Sequence, residues 1–429
     1  MVDELVRLDA QACARAILQG DITASDLVSA CLAHIDEREG AVEAWQHLER
    51  DVVDRQLSVL DTMTTDTRGP LHGVPVGIKD IYDTFDMPTA YGSEIYAGNR
   101  PPWDAAAVAR LRAAGAVILG KTVTTEFAYW KAGKTRNPHD TTRTPGGSSS
   151  GSAAAVADFM VPLAIGSQTV ASTVRPASYC GVVGFKPSYG RISLTGVKSL
   201  ASSLDTAGVF ARTVSDAALI ASIMAGRSDW TAAASSPDAL TVRVARTPDW
   251  DEVTADAMTA FEMTVSLLRS AGADVSDTDA PGRFKPLSTV QNTILAFEAA
   301  REFSSEWLHH RARLSPEISE LIEEGNAITP EQFEDAVTAR RGASEAIEEL
   351  FAGADVLLAP STLGEAPLIE EGTGNPLMSR AWTLLGLPSI SLPCGKGPAG
   401  MPLGLQIAAR PGRDGELISD AKWIEARLA

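Results

Sequence analysis

The chain has 429 residues, of which 45% are hydrophobic and 21% charged, with a formal net charge of -18. That length suits two or three average domains or one large α/β domain, with apolar residues enough for a sizeable core. The acidic excess sets aside nucleic acid as a partner and disfavours non-specific adhesion to anionic membranes, because both need a basic face.

In chain order, residues 8–60 read as helices. Ala10, Cys13, Ala14 and Ile17 recur at helical spacing, and Thr23 to Ser25 offer a cap for a second helix through Leu27, Cys31 and Leu32. The run VPVGI, bounded by glycine and proline, predicts a strand that ends at Lys79 and Asp80. DAAAVARLRAAG is a helix with Gly115 as its stop, and AVILG is a strand. A longer loop over 122–143 holds Phe127, Tyr129 and Trp130, which could line a pocket or simply pack. DAALIASIMAG is helical, VRVARTP a strand, and 254–272 an amphipathic helix stopping at Gly272. Residues 290–350 are helical and heavily charged, broken near Pro330, and read as a cover over a sheet. DVLLAPS, PSISLPC and GLQIAA return to strands before a last helix over 415–428. Strands separated by helices predict a single large α/β/α domain around a mixed, mostly parallel sheet.

The N-terminal MVDELVRLDAQACARAILQGD is acidic and mixed, so no signal peptide is expected, and no apolar run reaches the ~18 residues of a membrane span. Cys13, Cys31, Cys180 and Cys394 form no CxxC pair, which predicts free thiols in a cytoplasmic protein. The six histidines form no metal motif, since His309 and His310 are adjacent and HExxH is absent.

One stretch stands apart, TPGGSSSGSAAAVADFMVPLAIGSQTVASTVRPASYCGVVG over 144–184. From Gly146 to Gly184 only Asp158 and Arg175 are charged. A glycine–serine linker would lack the apolar run that follows. Buried serines need partners, and small residues at a helix start leave N–H groups free to hold a developing negative charge. A serine is a poor nucleophile until a base takes its proton. No GxSxG elbow and no histidine triad motif is present. A buried lysine with a lowered pKa can be that base, and a second serine can relay the proton. Lys79 is the candidate, with Ser148 and Ser172. The plainer alternative for Lys79 is a salt bridge to Asp80.

The chain resembles the amidase signature family, the Ser–cisSer–Lys hydrolases. GVPVGIKD (73–80), RNPHD (136–140), PGGSSSGSAAAVA (145–157), PASYCGVVGFKPSYGRIS (176–193), SLDTAG (203–208), GLPSISLPCG (386–395) and PLGLQIAARPG (402–412) match its pattern in order. The resemblance spans about 8–428 and implies one amidase signature domain over 1–429. Within it a helical apron covers about 1–65, a catalytic core about 66–225 and a helical cover about 285–350. It implies Lys79 as neutral base, Ser148 as the bridging serine behind a cis peptide bond, and Ser172 as the acylated nucleophile. It implies an oxyanion hole from the amides of Thr169, Val170, Ala171 and Ser172, with Ser149 in support. Phe127, Tyr129 and Trp130, with the segment 372–382, are candidates for the substrate pocket.

The match departs at one place. The family text DTGGSIR is replaced by Gln168-Thr169-Val170-Ala171-Ser172-Thr173-Val174, and the arginine falls one place later, at Arg175. Two glycines have become Val170 and Ala171, which stiffens the loop and alters the pocket. The resemblance implies cleavage of a small-molecule amide, or of an ester, anilide or carbamate of the same carbonyl geometry. It implies no metal and no organic cofactor, and at most a second copy of the chain as partner. Two rival readings are the amidase subunit of a tRNA-dependent amidotransferase and a catalytically dead scaffold.

Overall fold

Short apolar runs, punctuated by glycine, proline and amphipathic helices, assemble into one eleven-stranded sheet in the computed structural model, which describes residues 2–231 and 240–428. The strands are β1 (Trp45–His47), β2 (Pro75–Lys79), β3 (Val117–Thr122), β4 (Leu163–Gln168), β5 (Val183–Lys186) and β6 (Thr206–Ala211). They continue as β7 (Thr241–Arg246), β8 (Asp274–Asp279), β9 (Val356–Pro360), β10 (Ser389–Lys396) and β11 (Pro402–Ala408). Their order across the sheet is β1-β3-β2-β4-β6-β5-β10-β11-β9-β7-β8. Helices cover it, so the fold is the α/β class with a mixed sheet.

The balance of directions differs from expectation. Six of the ten strand pairings are antiparallel and four parallel. Helix–strand alternation does imply crossovers, and β2 runs parallel to both β3 and β4. But β4, β6, β5, β10, β11 and β9 form an antiparallel centre whose strands are nearly all buried. Strands covered on both faces carry continuous apolar runs whichever way they point. Direction is therefore not legible in their composition.

Caps and stops fall where the residue types demand. Thr23 caps the helix Ala24–Val42 in a reciprocal box with Asp26. Thr329 does the same with Gln332, and Pro330 opens the helix Pro330–Glu345 at its first turn. The charged segment after 285 is five short helices, not one continuous rod. They enclose an apolar cluster with Phe303, Phe351 and Trp382, separate from the larger core around the sheet. The N-terminal helical stretch is interrupted by β1, which pairs with β3. Strand β8 (DVSDTD) lies at the sheet edge, where its acidic, exposed side chains discourage further pairing. No helix among the described residues is long and apolar enough to cross a membrane.

Candidate active site

Strand β2 carries Lys79 into the interior. Its parallel neighbours β3 and β4 bury it on both sides, and Lys79 at its C-terminal end is fully buried. Lys79 Nζ is hydrogen-bonded to Ser148 Oγ at 2.6 Å and to Ser167 Oγ at 2.8 Å. The next residue faces the other way, as alternate strand residues must. Asp80 Oδ1 lies 3.1 Å from Lys121 Nζ, and Asp80 Oδ2 accepts from the Ala90 amide. The Lys79–Asp80 ion pair is therefore absent. Burial pushes the Lys79 ammonium down to about 7, against a weaker upward pull from the charge of Asp205.

The serine run delivers hydroxyls to fixed partners. The Gly147–Ser148 peptide bond is cis. Ser149 Oγ donates to the Ser167 carbonyl (3.2 Å) and accepts from the Ser167 amide (3.3 Å). Ser149 thus holds the residue that supplies Lys79 with its second hydroxyl. Ser150 Oγ donates to the Val123 carbonyl and Ser152 Oγ to that of Ile165, tying the buried helix Ser150–Ala157 to the sheet. Gly146 adopts φ +83°, and a Cβ there would stand 3.0 Å from the Pro176 Cα, so the turn into the run needs glycine.

Ser172 ends the loop that leaves β4. It borders a narrow cavity of about 50 Å³, and its hydroxyl makes no hydrogen bond among the described residues. The loop is anchored through its carbonyls and side chains. Gln291 Nε2 donates to the Thr169 carbonyl (3.3 Å), and Thr383 Oγ1 donates to that of Val170 (2.7 Å). A trans peptide points its N–H opposite to its carbonyl, so these anchors turn the Val170 and Ala171 amides away from themselves. The amides of Thr169, Val170, Ala171 and Ser172 make no hydrogen bond among the described residues. Thr169 Oγ1 donates to Asp205 Oδ1 (2.6 Å). Gln168 Oε1 accepts from the Thr173 and Val174 amides, so the start of the helix Val174–Cys180 is already satisfied. On the neighbouring strand a Cβ at Gly208 would fall 2.0 Å from Thr173 Oγ1, so only glycine lets the loop sit on β6.

The other expected residues divide. Tyr129 and Trp130 line the cavity, as do Thr373, Pro376 and Arg380 of the segment 372–382. Phe127 does not. It takes a left-handed backbone (φ +49°), is buried, and stacks on Phe303 beneath the helical cover, at 4.9 Å between ring centroids. An aromatic that can exchange pocket surface for a closed apolar cluster gains more buried area there. Cys180 is buried, its thiol pushed up by desolvation, with Sγ 3.4 Å from the Pro145 carbonyl. Sequence reasoning missed Ser167, Gln291 and Asn292, and reached Arg380 only as a member of the segment 372–382. Ser167 carried a signal, because it sits one residue before the loop on the strand beside β2. Gln291 and Asn292 come from the helical cover, remote in sequence, and carried none.

Arg175, one place off the family pattern, is buried. Its guanidinium donates to the carbonyls of Gly374 and Gly147 (the latter at 2.6 Å) and to Thr373 Oγ1. It thereby joins the Ser148 turn to the 372–382 segment. A roomier cavity of about 410 Å³ lies elsewhere, between the N-terminal helices and residues 68–72, and its Lys422 and Ser215 make no hydrogen bond to one another. Geometry outweighs size here, because the chemistry needs a nucleophile and a base. No group of three or more His, Cys, Asp or Glu that could hold a metal is found among the described residues.

The family model described as Amidase matches residues 26–418. A glutamyl-tRNA(Gln) amidotransferase subunit of Streptomyces coelicolor is 33% identical over 482 residues, covering 99% of this chain and 97% of that protein. Among solved structures, the native peptide amidase from Stenotrophomonas maltophilia is similar with a TM-score of 0.85 and 30% identity, over 98% of this chain and 97% of that one. The 6-aminohexanoate cyclic dimer hydrolase complexed with substrate gives a TM-score of 0.88 and 28% identity, over 99% and 98%.

Proposed function

The chain belongs to the amidase family, and from that premise we propose that it is a serine-dependent hydrolase of a small-molecule amide, working through an acyl-enzyme on Ser172. The observation that supports this reading most is Lys79, fully buried, bonded to two hydroxyls and without a carboxylate partner among the described residues. Such a lysine is neutral over much of the physiological range and can accept a proton.

In the proposed relay, Ser172 Oγ closes on Ser148 Oγ when substrate enters. Neutral Lys79 takes the Ser148 proton as Ser148 takes that of Ser172. Ser172 Oγ bonds to the carbonyl carbon, and the oxygen's negative charge is held by the free amides of the 169–172 loop. The proton returns along the relay to the leaving nitrogen, the C–N bond breaks, and an amine departs. Water then gives a proton to the same relay and attacks the ester, releasing a carboxylic acid and restoring Ser172. The balance is amide plus water to acid plus amine. Esters, anilides and carbamates fit the same steps. Neither a metal nor an organic cofactor enters the relay. A cytoplasmic setting belongs to this reading, on the ground of four free cysteines.

A second reading draws on the relatives. A chain 33% identical over nearly its whole length to one component of a glutamyl-tRNA(Gln) amidotransferase could release its amine into a partner chain instead of solvent. Both readings share the acyl-enzyme. A fluorophosphonate probe on the purified chain, followed by peptide mapping, tests the shared step, with label expected on Ser172. Turnover of aryl and aliphatic amides by the isolated chain supports the stand-alone hydrolase. Co-purification of further subunits, with no turnover in their absence, supports the amidotransferase. Absence of label under conditions where the chain is folded would sink both.

A further inference from the structure

The cavity of about 410 Å³ beside residues 68–72 has no part in the relay, and its size is that of a small-molecule site. Four elements build it. The helix Ala10–Gln19 presents Gln11, Ala14, Arg15 and Leu18, whose i, i+3, i+4, i+7 spacing is one helical face. The helix Val214–Ala225 adds Ser215 and Leu219, one turn apart, and the helix Asp414–Leu428 adds Lys422. The turn before β2 adds Arg68 and His72.

Every charged residue lining this cavity is basic, in a chain of net charge -18. The side chains of Arg15, Arg68 and Lys422 make no ion pair and no hydrogen bond among the described residues. Elsewhere arginines meet carboxylates, as Arg38 meets Asp158 and Arg410 meets Glu348. Asp61 pulls on His72, and Lys422 on Glu425, through their fields alone. Glu425 Oε1 is already engaged by the Val214 amide, and Asp216 by the amides of Ala10 and Gln11. Two donors are buried with nothing to receive them. His72 is only 7% exposed, and its Nδ1 and the Nε of Arg68 have no hydrogen-bond partner. Burial, and then the Arg68 charge, hold the His72 imidazole below its ordinary value, so near pH 7 it is a neutral single donor. The turn that carries it is fixed. A Cβ at Gly115 would stand 2.8 Å from the His72 Cα, and the Gly73 amide donates to the Gly115 carbonyl at 2.9 Å. Buried donors without acceptors cost free energy, and an anion in the cavity would accept from both.

Three cations and a neutral donor exceed what one carboxylate charge can use, and match the near-dianion of a phosphate monoester. Ile17, Leu18, Leu219 and Pro70 give the cavity an apolar wall, which bare inorganic phosphate leaves idle. We propose that this cavity binds a soluble phosphate monoester with a short apolar body, its phosphate held by Arg15, Arg68, His72 and Lys422. A bilayer source for the phosphate is disfavoured, because the net charge of the chain repels an anionic membrane. The site is separate from the Ser172 cavity and does not rest on the amide-hydrolase reading.

Phenyl phosphate, inorganic phosphate, benzoate and uncharged benzyl alcohol are titrated into the purified full chain by calorimetry, which reads binding without activity. Phenyl phosphate should bind at least about tenfold more tightly than inorganic phosphate, a modest return for a buried ring. It should exceed benzoate by a similar factor, and benzyl alcohol should not bind. Arg68→Gln should weaken phenyl phosphate about tenfold or more, the worth of a hydrogen bond to a charged group, and Arg68→Lys should restore part. Circular dichroism checks that the variants are folded. No binding of phenyl phosphate, or unchanged affinity in folded Arg68→Gln, overturns the proposal. Equal affinity for inorganic phosphate or for benzoate overturns it as well. Vesicles of phosphatidylcholine and phosphatidic acid should leave the chain in the supernatant on sedimentation. Capture by those vesicles that Arg68→Gln abolishes would overturn the soluble ligand. If Arg68→Gln does not fold, Lys422→Gln on the last helix carries the same test.

Discussion

Two buried lysines of this sheet make an instructive pair. Lys79 ends β2 and Lys186 ends β5; both are fully buried, and burial pushes both down to about 7. Their surroundings differ. Lys79 is bonded to two serine hydroxyls, whereas Lys186 donates to the carbonyls of Pro187 (3.0 Å) and Leu387 (2.5 Å). A carbonyl has no proton to give, so Lys186 is a structural tie between two loops. A hydroxyl can donate to a neutral amine, so Lys79 can be a base. A third case, Lys121, is equally buried but rests against Asp80 at 3.1 Å. A low pKa therefore does not identify a base; the partner atoms do.

The sharpest way to break this comparison is to remove what the hydroxyl chain serves. Ser172→Ala should reduce turnover by at least about 10⁴-fold, as loss of a covalent nucleophile does. Fluorophosphonate labelling should vanish with circular dichroism unchanged. Retained labelling would take Ser172 out of the relay. Next in size, Lys79→Ala should cost about 10²–10⁴-fold, the range of a general base. Lys79→Arg should not restore activity, because a guanidinium does not deprotonate near neutral pH. Substantial turnover in Lys79→Arg would make Lys79 a structural cation and abolish its contrast with Lys186. Ser167→Ala leaves Lys79 bonded to Ser148 alone and should cost only about 3–10-fold in kcat, one hydrogen bond's worth.

Much of this contrast was legible in the sequence. A lysine closing the apolar run VPVGI announces a buried cation, and a low-charge serine run announces buried hydroxyls needing partners. The resemblance named Ser148 and Ser172 by position. The salt bridge weighed for Lys79 does not form, because strand alternation turns Asp80 to the other face, where Lys121 meets it. What was not legible has three physical causes. Contacts across long sequence separation leave no local pattern, which hid Gln291 and Asn292 in a segment that read only as helical cover. Burial on both faces erases strand alternation, which hid the antiparallel centre of the sheet. Phe127 shows a third cause, for its neighbours Tyr129 and Trp130 border the cavity while its own left-handed backbone turns it into the core.

The pH dependence follows with a definite sign. Only neutral Lys79 accepts a proton, so kcat/KM should rise about tenfold per pH unit below the pKa and level off above about 7. Stability moves the same way. Between about 7 and the ~10.4 of an unfolded lysine, the unfolded chain holds protons that folded Lys79 and Lys186 have released. Folding then releases protons, and stability increases with pH through that window. Denaturant midpoints at pH 7 and 9 should show a smaller increase in Lys79→Met than in wild type. A profile flat from pH 5 to 8 would place the Lys79 pKa outside the range that a relay base needs.

The smallest effect on activity should come from Lys186→Met, the control that gives the comparison its meaning. Nζ of Lys186 touches no hydroxyl and no group of the cavity, so kcat/KM should stay within about twofold of wild type. Stability carries the signature instead. The substitution leaves the Pro187 and Leu387 carbonyls without their donor, a cost of about 1–3 kcal/mol for buried acceptors. It also abolishes the cost of deprotonating a lysine on folding, which is large at pH 7 and shrinks as pH rises. The two contributions have opposite sign, and only the second depends on pH. Lys186→Met should therefore be more destabilising at pH 9 than at pH 7, by chemical denaturation at both. A fall in kcat/KM as deep as that of Lys79→Ala, in a folded Lys186→Met protein, would show that burial and pKa mattered more than the partner atoms.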